Sequence, residues 1–307
     1  MAYDRILVPV DGSAPSSAGL AQALRLCAPG TQVKLLHVLE NPTYAYGAMD
    51  YALDYDELFA AQEVQGWKTL ESAAAAAKKR KVKALPELVE ARGRRVAEVI
   101  GREAERWKAD LVVMGSHGRR GMTRVLLGSD AEAVVRSTRV PLLLTRAGKG
   151  IKVSRAANFR RIVVPLDGSA TSKAGLAAAV QIASHSGATL QLVHVIDVAP
   201  GFHVPGGGSV LANIRSSLHK RGEQLLNEGI EIAHAEGVKA GSCLLQKSVG
   251  PAADAITAEA RRWKADLIVI GTHGRRGLAR ALMGSDAELV VRQAETPVLL
   301  IHGRGKR

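Results

Sequence analysis

The sequence predicts an α/β protein of two tandem doubly wound domains, each an open five-stranded parallel sheet flanked by helices. Three observations predict it. RILVPVDGSAPSSAGL at 5–20 returns as RIVVPLDGSATSKAGL at 161–176, and WKADLVVMGSHGRRG at 107–121 returns as WKADLIVIGTHGRRG at 263–277. Within each half, apolar runs of strand length alternate with amphipathic stretches of helix length. Those strand runs are nearly continuous rather than alternating, the pattern of a sheet covered by helices on both faces.

Asp11, Trp107, Gly115, Gly128 and Pro141 recur 156 residues later, at Asp167, Trp263, Gly271, Gly284 and Pro297. That period is a whole domain, so the repeat is a duplication and not a solenoid. The first domain is expected over 1–147 and the second over 159–307. Between them 148–158, GKGIKVSRAAN, is polar and glycine-containing and reads as a linker.

In chain order the first half offers strands at Arg5–Val10, Val33–Leu39, Val82–Glu90, Leu111–Met114 and Pro141–Thr145. The helical stretches between them are Ala14–Cys27, Asp54–Lys79, Arg95–Lys108 and Gly128–Ser137. The second half offers strands at Ile162–Leu166, Leu190–Ile196, Val238–Gln246, Leu267–Ile270 and Pro297–Ile301. Open parallel sheets bind ligands outside the carboxyl ends of their strands, where strand order reverses. Function is therefore expected in the loops after Val10, Leu39 and Met114.

Composition narrows the class. The chain has 307 residues, 47% hydrophobic and 23% charged, which excludes a disordered protein. No apolar run is long enough to span a bilayer, and the first residues run straight into a strand pattern without a leader. Cys27 and Cys243 stand far apart with no metal-ligand spacing, and read as small buried thiols of a cytoplasmic protein. The net charge is +13, shared by both halves, which favours anionic ligands without choosing among them. The Lys78–Lys83 cluster reads as a solvated helix end, where cations meet the negative pole of the dipole.

The chemistry lies after the fourth strand. Gly115-Ser116-His117-Gly118 is followed by nine residues and Gly128-Ser129; Gly271-Thr272-His273-Gly274 is followed by nine and Gly284-Ser285. Glycines let a backbone approach a polyphosphate closely and adopt positive φ where amides converge. Gly128-Ser129 opens a helix, whose N–H groups and dipole form a phosphate seat, and Ser129 and Ser285 can cap that helix or donate a hydroxyl. Asp11 and Asp167 close the first strand of each half. Each can accept from an adenine amino group or a ribose hydroxyl, or serve as a turn or helix cap. Ser13 and Ser169 read likewise as caps or as pocket walls.

Carrying this doubled motif, both halves resemble universal stress protein domains of the ATP-binding subclass, over essentially their whole length. The resemblance implies a five-stranded parallel sheet with adenine near the first-strand aspartate. It implies that Pro9, Val10, Asp11, Ser13 and Val38 line the adenine and ribose side, while Met114, Gly115, His117, Gly118, Gly128 and Ser129 hold ribose and phosphates. The second set is Pro165, Leu166, Asp167, Ser169, Val195, Ile270, Gly271, His273, Gly274, Gly284 and Ser285. It also suggests that Leu142–Thr145 and Val298–Ile301 pair within the chain as a pseudo-two-fold unit, with further homodimerisation open.

Two features depart from that pattern. Asp130 and Asp286 follow the loop serines; an acid there repels a γ-phosphate unless Mg²⁺ intervenes, or it complements the helix N-terminus. The loop after the second strand is tyrosine-rich in the first half (Tyr44, Tyr46, Tyr51, Tyr55) and glycine- and proline-rich in the second, at Pro200–Gly208. His117 and His273 have no visible partner to orient a general base, so a phosphate donor or loop anchor is the expected role. Arg119 and Arg275, with Arg120, Arg124, Arg276 and Arg280, are phosphate partners or solvated surface.

A dehydrogenase fingerprint, a Walker loop, a metal motif and a nucleophile elbow are all absent. What remains is an ATP-binding regulatory module with at most slow hydrolysis. The alternatives are an ATP-consuming enzyme, or an interaction protein whose basic surface engages nucleic acid or an acidic partner. Nucleic acid is the less favoured ligand.

Overall fold

The structure, a computed structural model, describes residues 3–40, 55–116, 127–146, 158–197, 208–247, 249–274 and 283–303. The chain divides into two compact units, Tyr3–Ala157 and Asn158–Arg307.

In the first unit the order is β1 (Arg5–Pro9), α1 (Ala14–Leu26), β2 (Gln32–Leu39), α2 (Tyr55–Lys79), β3 (Lys83–Glu90), α3 (Val96–Arg106), β4 (Leu111–Gly115), α4 (Ser129–Ser137) and β5 (Leu142–Thr145). The strands lie in the order 3-2-1-4-5, all parallel. Ile6 pairs with Val33 on one side and with Leu111 on the other, and Val112 pairs with Leu142. Strand order therefore reverses between β1 and β4, and the crevice expected for a ligand opens between their carboxyl ends.

The apolar runs explain the layers. Ile6, Leu7, Val8, Leu35, Leu111, Val112 and Leu142 are at or near zero exposure, because helices cover both faces of the central strands. Helix α1 packs on β4 and β5, α2 on β2 and β3, and α3 against α4. Strand β3 is an edge and only half-buried, which lets it carry Pro86 without loss of a ladder hydrogen bond on its outer side.

The second unit repeats the plan with β6 (Arg161–Pro165), α5 (Ala170–Ser186), β7 (Thr189–Asp197), α6 (Gly208–Ala235), β8 (Ala240–Lys247), α7 (Ala252–Arg262), β9 (Leu267–Gly271), α8 (Ser285–Gln293) and β10 (Val298–Ile301). Its strand order, 8-7-6-9-10, is the same arrangement.

The Trp-Lys-Ala-Asp part of the repeat belongs to this scaffold. At the amino ends of the strands the Asp110 carboxylate accepts from the N–H groups of Asp4 (2.7 Å) and Arg5 (3.1 Å), and Asp266 accepts from those of Arg160 and Arg161. Lys108 and Lys264 take left-handed φ of 53° and 54° to make the bend. The Lys78–Lys83 cluster is a helix end as expected: Lys78 and Lys79 close α2 and both are exposed. Both cysteines are half-buried rather than buried; burial pushes the Cys27 thiol up to about 12, so it is inert at neutral pH. No described helix is long and apolar enough to cross a membrane.

Candidate functional site

The turn after the first strand has the same construction in both units. The Val10 N–H makes the last ladder bond, to Leu36 O (2.8 Å), and the chain then leaves the sheet. Asp11 Oδ1 accepts from the Ser13 N–H at 2.9 Å, across Gly12 at φ +82°. Ser13 caps α1, its Oγ accepting from the Ser16 N–H at 3.2 Å. In the second unit Asp167 Oδ1 accepts from the Ser169 N–H (2.9 Å) across Gly168, and Ser169 Oγ from the Ser172 N–H (3.1 Å). One carboxylate oxygen of each aspartate is thus committed to the turn, and each serine to the cap. The turn and cap roles hold, and any ligand contact must use what is left.

After the fourth strand the backbone comes very close to the first helix. A Cβ on Gly115 would lie 2.7 Å from the Pro15 carbonyl carbon, and one on Gly271 would lie 2.7 Å from that of Thr171. Only glycine permits that approach. The next residue joins the sheet edge: the Ser116 N–H donates to Thr145 O (2.7 Å) and the Thr272 N–H to Ile301 O (2.9 Å). The loop then closes on itself, with Gly128 N–H donating to Ser116 O (2.8 Å) and Gly284 N–H to Thr272 O (2.7 Å).

Two expectations about this loop are corrected. The caps of α4 and α8 are Gly128 and Gly284, not the serines, which are the first helical residues. Among the described residues no side chain caps either helix, so none of them sets a competing hydroxyl at the helix start. The described loop glycines also do not adopt positive φ. Gly128 sits at −63° and Gly284 at −70°, and the left-handed glycines among the described residues are Gly12, Gly30, Gly93, Gly168, Gly187, Gly237 and Gly250. Close approach is the reason at Gly115, Gly271 and Gly274, whereas a Cβ on Gly284 would meet nothing nearer than 3.4 Å. Asp130 and Asp286 stand exposed in the first turns, where a negative charge complements the dipole.

The second unit describes the loop as far as Gly274, and there the two halves of the site meet. Asp167 Oδ2 lies 2.8 Å from the point a Cβ on Gly274 would occupy. The His273 carbonyl accepts from the Thr171 hydroxyl and, at 3.5 Å, from Ser169 Oγ, while His273 Nδ1 lies 3.0 Å from Thr272 Oγ1. Thr171 has Pro15 as its counterpart, so the first unit lacks that hydroxyl. His302, just after β10, has a buried Nε2 with no hydrogen-bond partner among the described residues. Burial, and then the neighbouring His273, push its pKa down to about 4.

The remaining apolar positions fall where a ligand wall is needed, at the carboxyl ends of the strands. Pro9 and Val38 in the first unit, and Pro165 and Val195 in the second, are half-buried, whereas Val10, Met114, Leu166 and Ile270 are buried. His117, Gly118, Arg119 and Arg275 lie outside the described residues, as do Arg120, Arg124, Arg276, Arg280, Tyr44, Tyr46 and Tyr51. Sequence reasoning passed over His37 and His194, which stand directly behind the aspartates. His37 Nδ1 is 2.7 Å from Val10 O, and His194 Nδ1 is 2.6 Å from Leu166 O. The signal was present: Leu-His-Val at 36–38 and Val-His-Val at 193–195 occupy matching strands.

A carboxylate facing a loop backbone, beside a helix N-terminus with no side-chain cap, can hold a sugar hydroxyl or base amine at one end and phosphates at the other. Among the described residues no His, Cys, Asp and Glu side chains are grouped to hold a metal ion.

Residues 2–146 and 158–302 each match the profile of the Universal stress protein family. The chain is similar to the universal stress protein MJ0531 of Methanocaldococcus jannaschii, 37% identical over 143 residues, which are 47% of this chain and 82% of that one. It is similar along its length to the universal stress protein Rv2005c of Mycobacterium tuberculosis, 28% identical over 309 residues and covering 96% of both chains. The crystal structure of a universal stress protein from Archaeoglobus fulgidus superposes with a TM-score of 0.66 at 21% identity, covering 98% of this chain and 99% of that one.

Proposed function

The chain belongs to the universal stress protein family, and from that premise we propose that each half binds one molecule of ATP as a regulatory ligand. The observation that carries the reading is the contact of the Asp167 carboxylate with Gly274 beside the start of α8. It supports the reading because a carboxylate is the kind of acceptor that adenine or ribose calls for, and this one lies against the backbone after β9. The uncapped starts of α4 and α8 supply the N–H groups for phosphate. Because Asp130 and Asp286 share those helix ends, a γ-phosphate there needs Mg²⁺ to offset the repulsion. Turnover is not part of the proposal, which asks only that the nucleotide be held.

The test is to denature the purified protein and analyse the released small molecules by HPLC, then titrate nucleotide-stripped protein with ATP calorimetrically. Release of adenine nucleotide, or titration to two sites per chain, is the expected result. Absence of both overturns the reading.

A further inference from the structure

We propose that His37 and His194 are positioning residues for the two nucleotide seats, an inference that rests on the nucleotide-binding reading above. Each acts by holding one main-chain peptide, the one joining the end of the first strand to the site aspartate.

In the first unit that peptide is Val10–Asp11. Its carbonyl lies 2.7 Å from His37 Nδ1, and its N–H, that of Asp11, faces Ser16 Oγ at 3.4 Å. In the second unit the carbonyl of Leu166 lies 2.6 Å from His194 Nδ1, and the Asp167 N–H faces Ser172 Oγ at 3.4 Å. A carbonyl only accepts, so Nδ1 carries the hydrogen in both rings. The plane of the peptide is therefore held from both sides, by a ring donor and a hydroxyl acceptor. That plane fixes the direction in which the aspartate side chain leaves the backbone, hence where its carboxylate can meet a ligand.

Room for the ring is made by a second residue. Gly66 lies in α2 and Gly222 in α6. A Cβ on either would come within 2.9 Å of the histidine Cδ2, and within 2.6 Å of Leu88 Cδ1 or 2.7 Å of Leu244 Cδ1. Glycine in a helix interior is about 1 kcal/mol worse than alanine, so a glycine here calls for a packing reason. The imidazole and the leucine methyl beside it supply it together. The same glycine, histidine and carbonyl meet in both units, in helices whose outer faces otherwise differ. Any buried ring N–H needs an acceptor; what the duplication adds is that in both units that acceptor is the peptide preceding the site aspartate.

The test is calorimetric titration with ATP of the full chain carrying His37→Phe, His37→Asn or Gly66→Ala, and of the mirror variant His194→Phe. Phenylalanine keeps the ring and removes the donor; asparagine places an amide N–H near the Nδ1 position. His37→Phe is expected to weaken one of two sites on the order of tenfold, from loss of a buried carbonyl's partner, with the other site unchanged. His37→Asn should recover most of that loss, and His194→Phe should weaken the opposite site. If His37→Phe prevents folding, Gly66→Ala decides, since it displaces the ring while leaving the imidazole in the chain. Unaltered affinity at both sites in a folded His37→Phe or Gly66→Ala variant overturns the proposal, as does an equal loss in His37→Phe and His37→Asn. Failure of the unaltered protein to bind at either site overturns the nucleotide reading itself, and this proposal with it.

Discussion

Asp167 Oδ2 and Gly274 are in direct contact: a Cβ on that glycine would sit 2.8 Å from the carboxylate oxygen. The carboxylate is not free to swing aside, because its other oxygen accepts from the Ser169 N–H at 2.9 Å. This pair joins the two sequence motifs of the second half across a span of more than a hundred residues.

Gly274→Ala should therefore damage binding more than folding. Gly274 is exposed, so the added methyl disturbs no core; overpacking against the carboxylate costs on the order of 1–3 kcal/mol. The expected outcome is a loss of roughly tenfold or more in ATP affinity at one of two sites, with a melting temperature lowered by only a few degrees. Calorimetry alongside a thermal melt reads both. Unchanged affinity would mean that the carboxylate and this backbone do not act together on the ligand.

A difference between the halves predicts a stabilising change. Lys81 ends the turn after α2 at φ 58°, while the matching residue of the second unit is Gly237 at 71°. The hydrogen bonds are the same, Val82 N–H to Ala77 O (3.1 Å) and Val238 N–H to Ala233 O (2.9 Å). A lysine with positive φ carries a steric penalty that glycine escapes, offset in part by glycine's greater freedom when unfolded. Lys81→Gly should stabilise the first unit by about 0.5–1 kcal/mol. Slower hydrogen exchange in α2 and β3 peptides is the readout; faster exchange would contradict it.

The strands and helices were legible because both signals that encode them are local. Apolar runs such as 111–114 gave the central strands to within a residue, and Ser13 and Ser169 marked the starts of α1 and α5. The phosphate loop was legible in outline from its glycines. Which conformation those glycines adopt was not, because close approach and positive φ leave the same letter in the sequence. Gly128 and Gly284 displaced the serines as caps for a related reason: each serine lies one residue inside the helix, past the position where a hydroxyl can reach back. His37 and Thr171 were hidden because their partners, Val10 O and His273 O, are main-chain atoms that any residue supplies.

The first unit contains a buried ion cluster that the second does not repeat. Lys34 Nζ lies 2.6 Å from Glu103 Oε1, with both side chains almost fully buried, and it also reaches Glu87, itself paired with Arg106. The second unit has Gln191 in place of Lys34, and among the described residues Glu259 pairs with Arg262, at 2.7 Å. Lys34→Ala leaves Glu103 with one partner fewer and should destabilise the first unit by on the order of 3 kcal/mol at neutral pH. Burial alone would raise the Glu103 pKa, but hydrogen bonds and charge from Arg106 and Lys34 outweigh it and hold the carboxyl below its usual range. The stability it contributes is present above the unfolded carboxylate pKa, about 4, and is lost as pH falls through the lower folded value. The cost of Lys34→Ala should accordingly shrink in acid. A constant cost from neutral pH down to about pH 3 would show that the carboxylate charge is not what the lysine answers.

His302 gives the second unit an acid sensitivity of its own. Its Nε2 is buried without a partner among the described residues, and its pKa is pushed down to about 4 by burial and then by His273. The unfolded chain binds this proton near pH 6.5, whereas the folded chain resists it until about pH 4. Stability tied to the neutral ring is therefore present above pH 6.5 and drains away as pH falls from there through about 4, by up to a few kcal/mol in all. Arg146 occupies the matching place in the first unit and does not titrate in this range. His302→Asn removes the titrating ring, so its second unit should lose less stability than the parent's between pH 7 and pH 4. Hydrogen exchange of β9 and β10 peptides at a series of pH values, corrected for the intrinsic rate, separates that unit from the first. A proton NMR titration of the His302 ring, assigned by the same variant, reads the pKa directly. A midpoint near 6.5, or equal acid losses in parent and variant, would show that the ring is solvated in the folded chain.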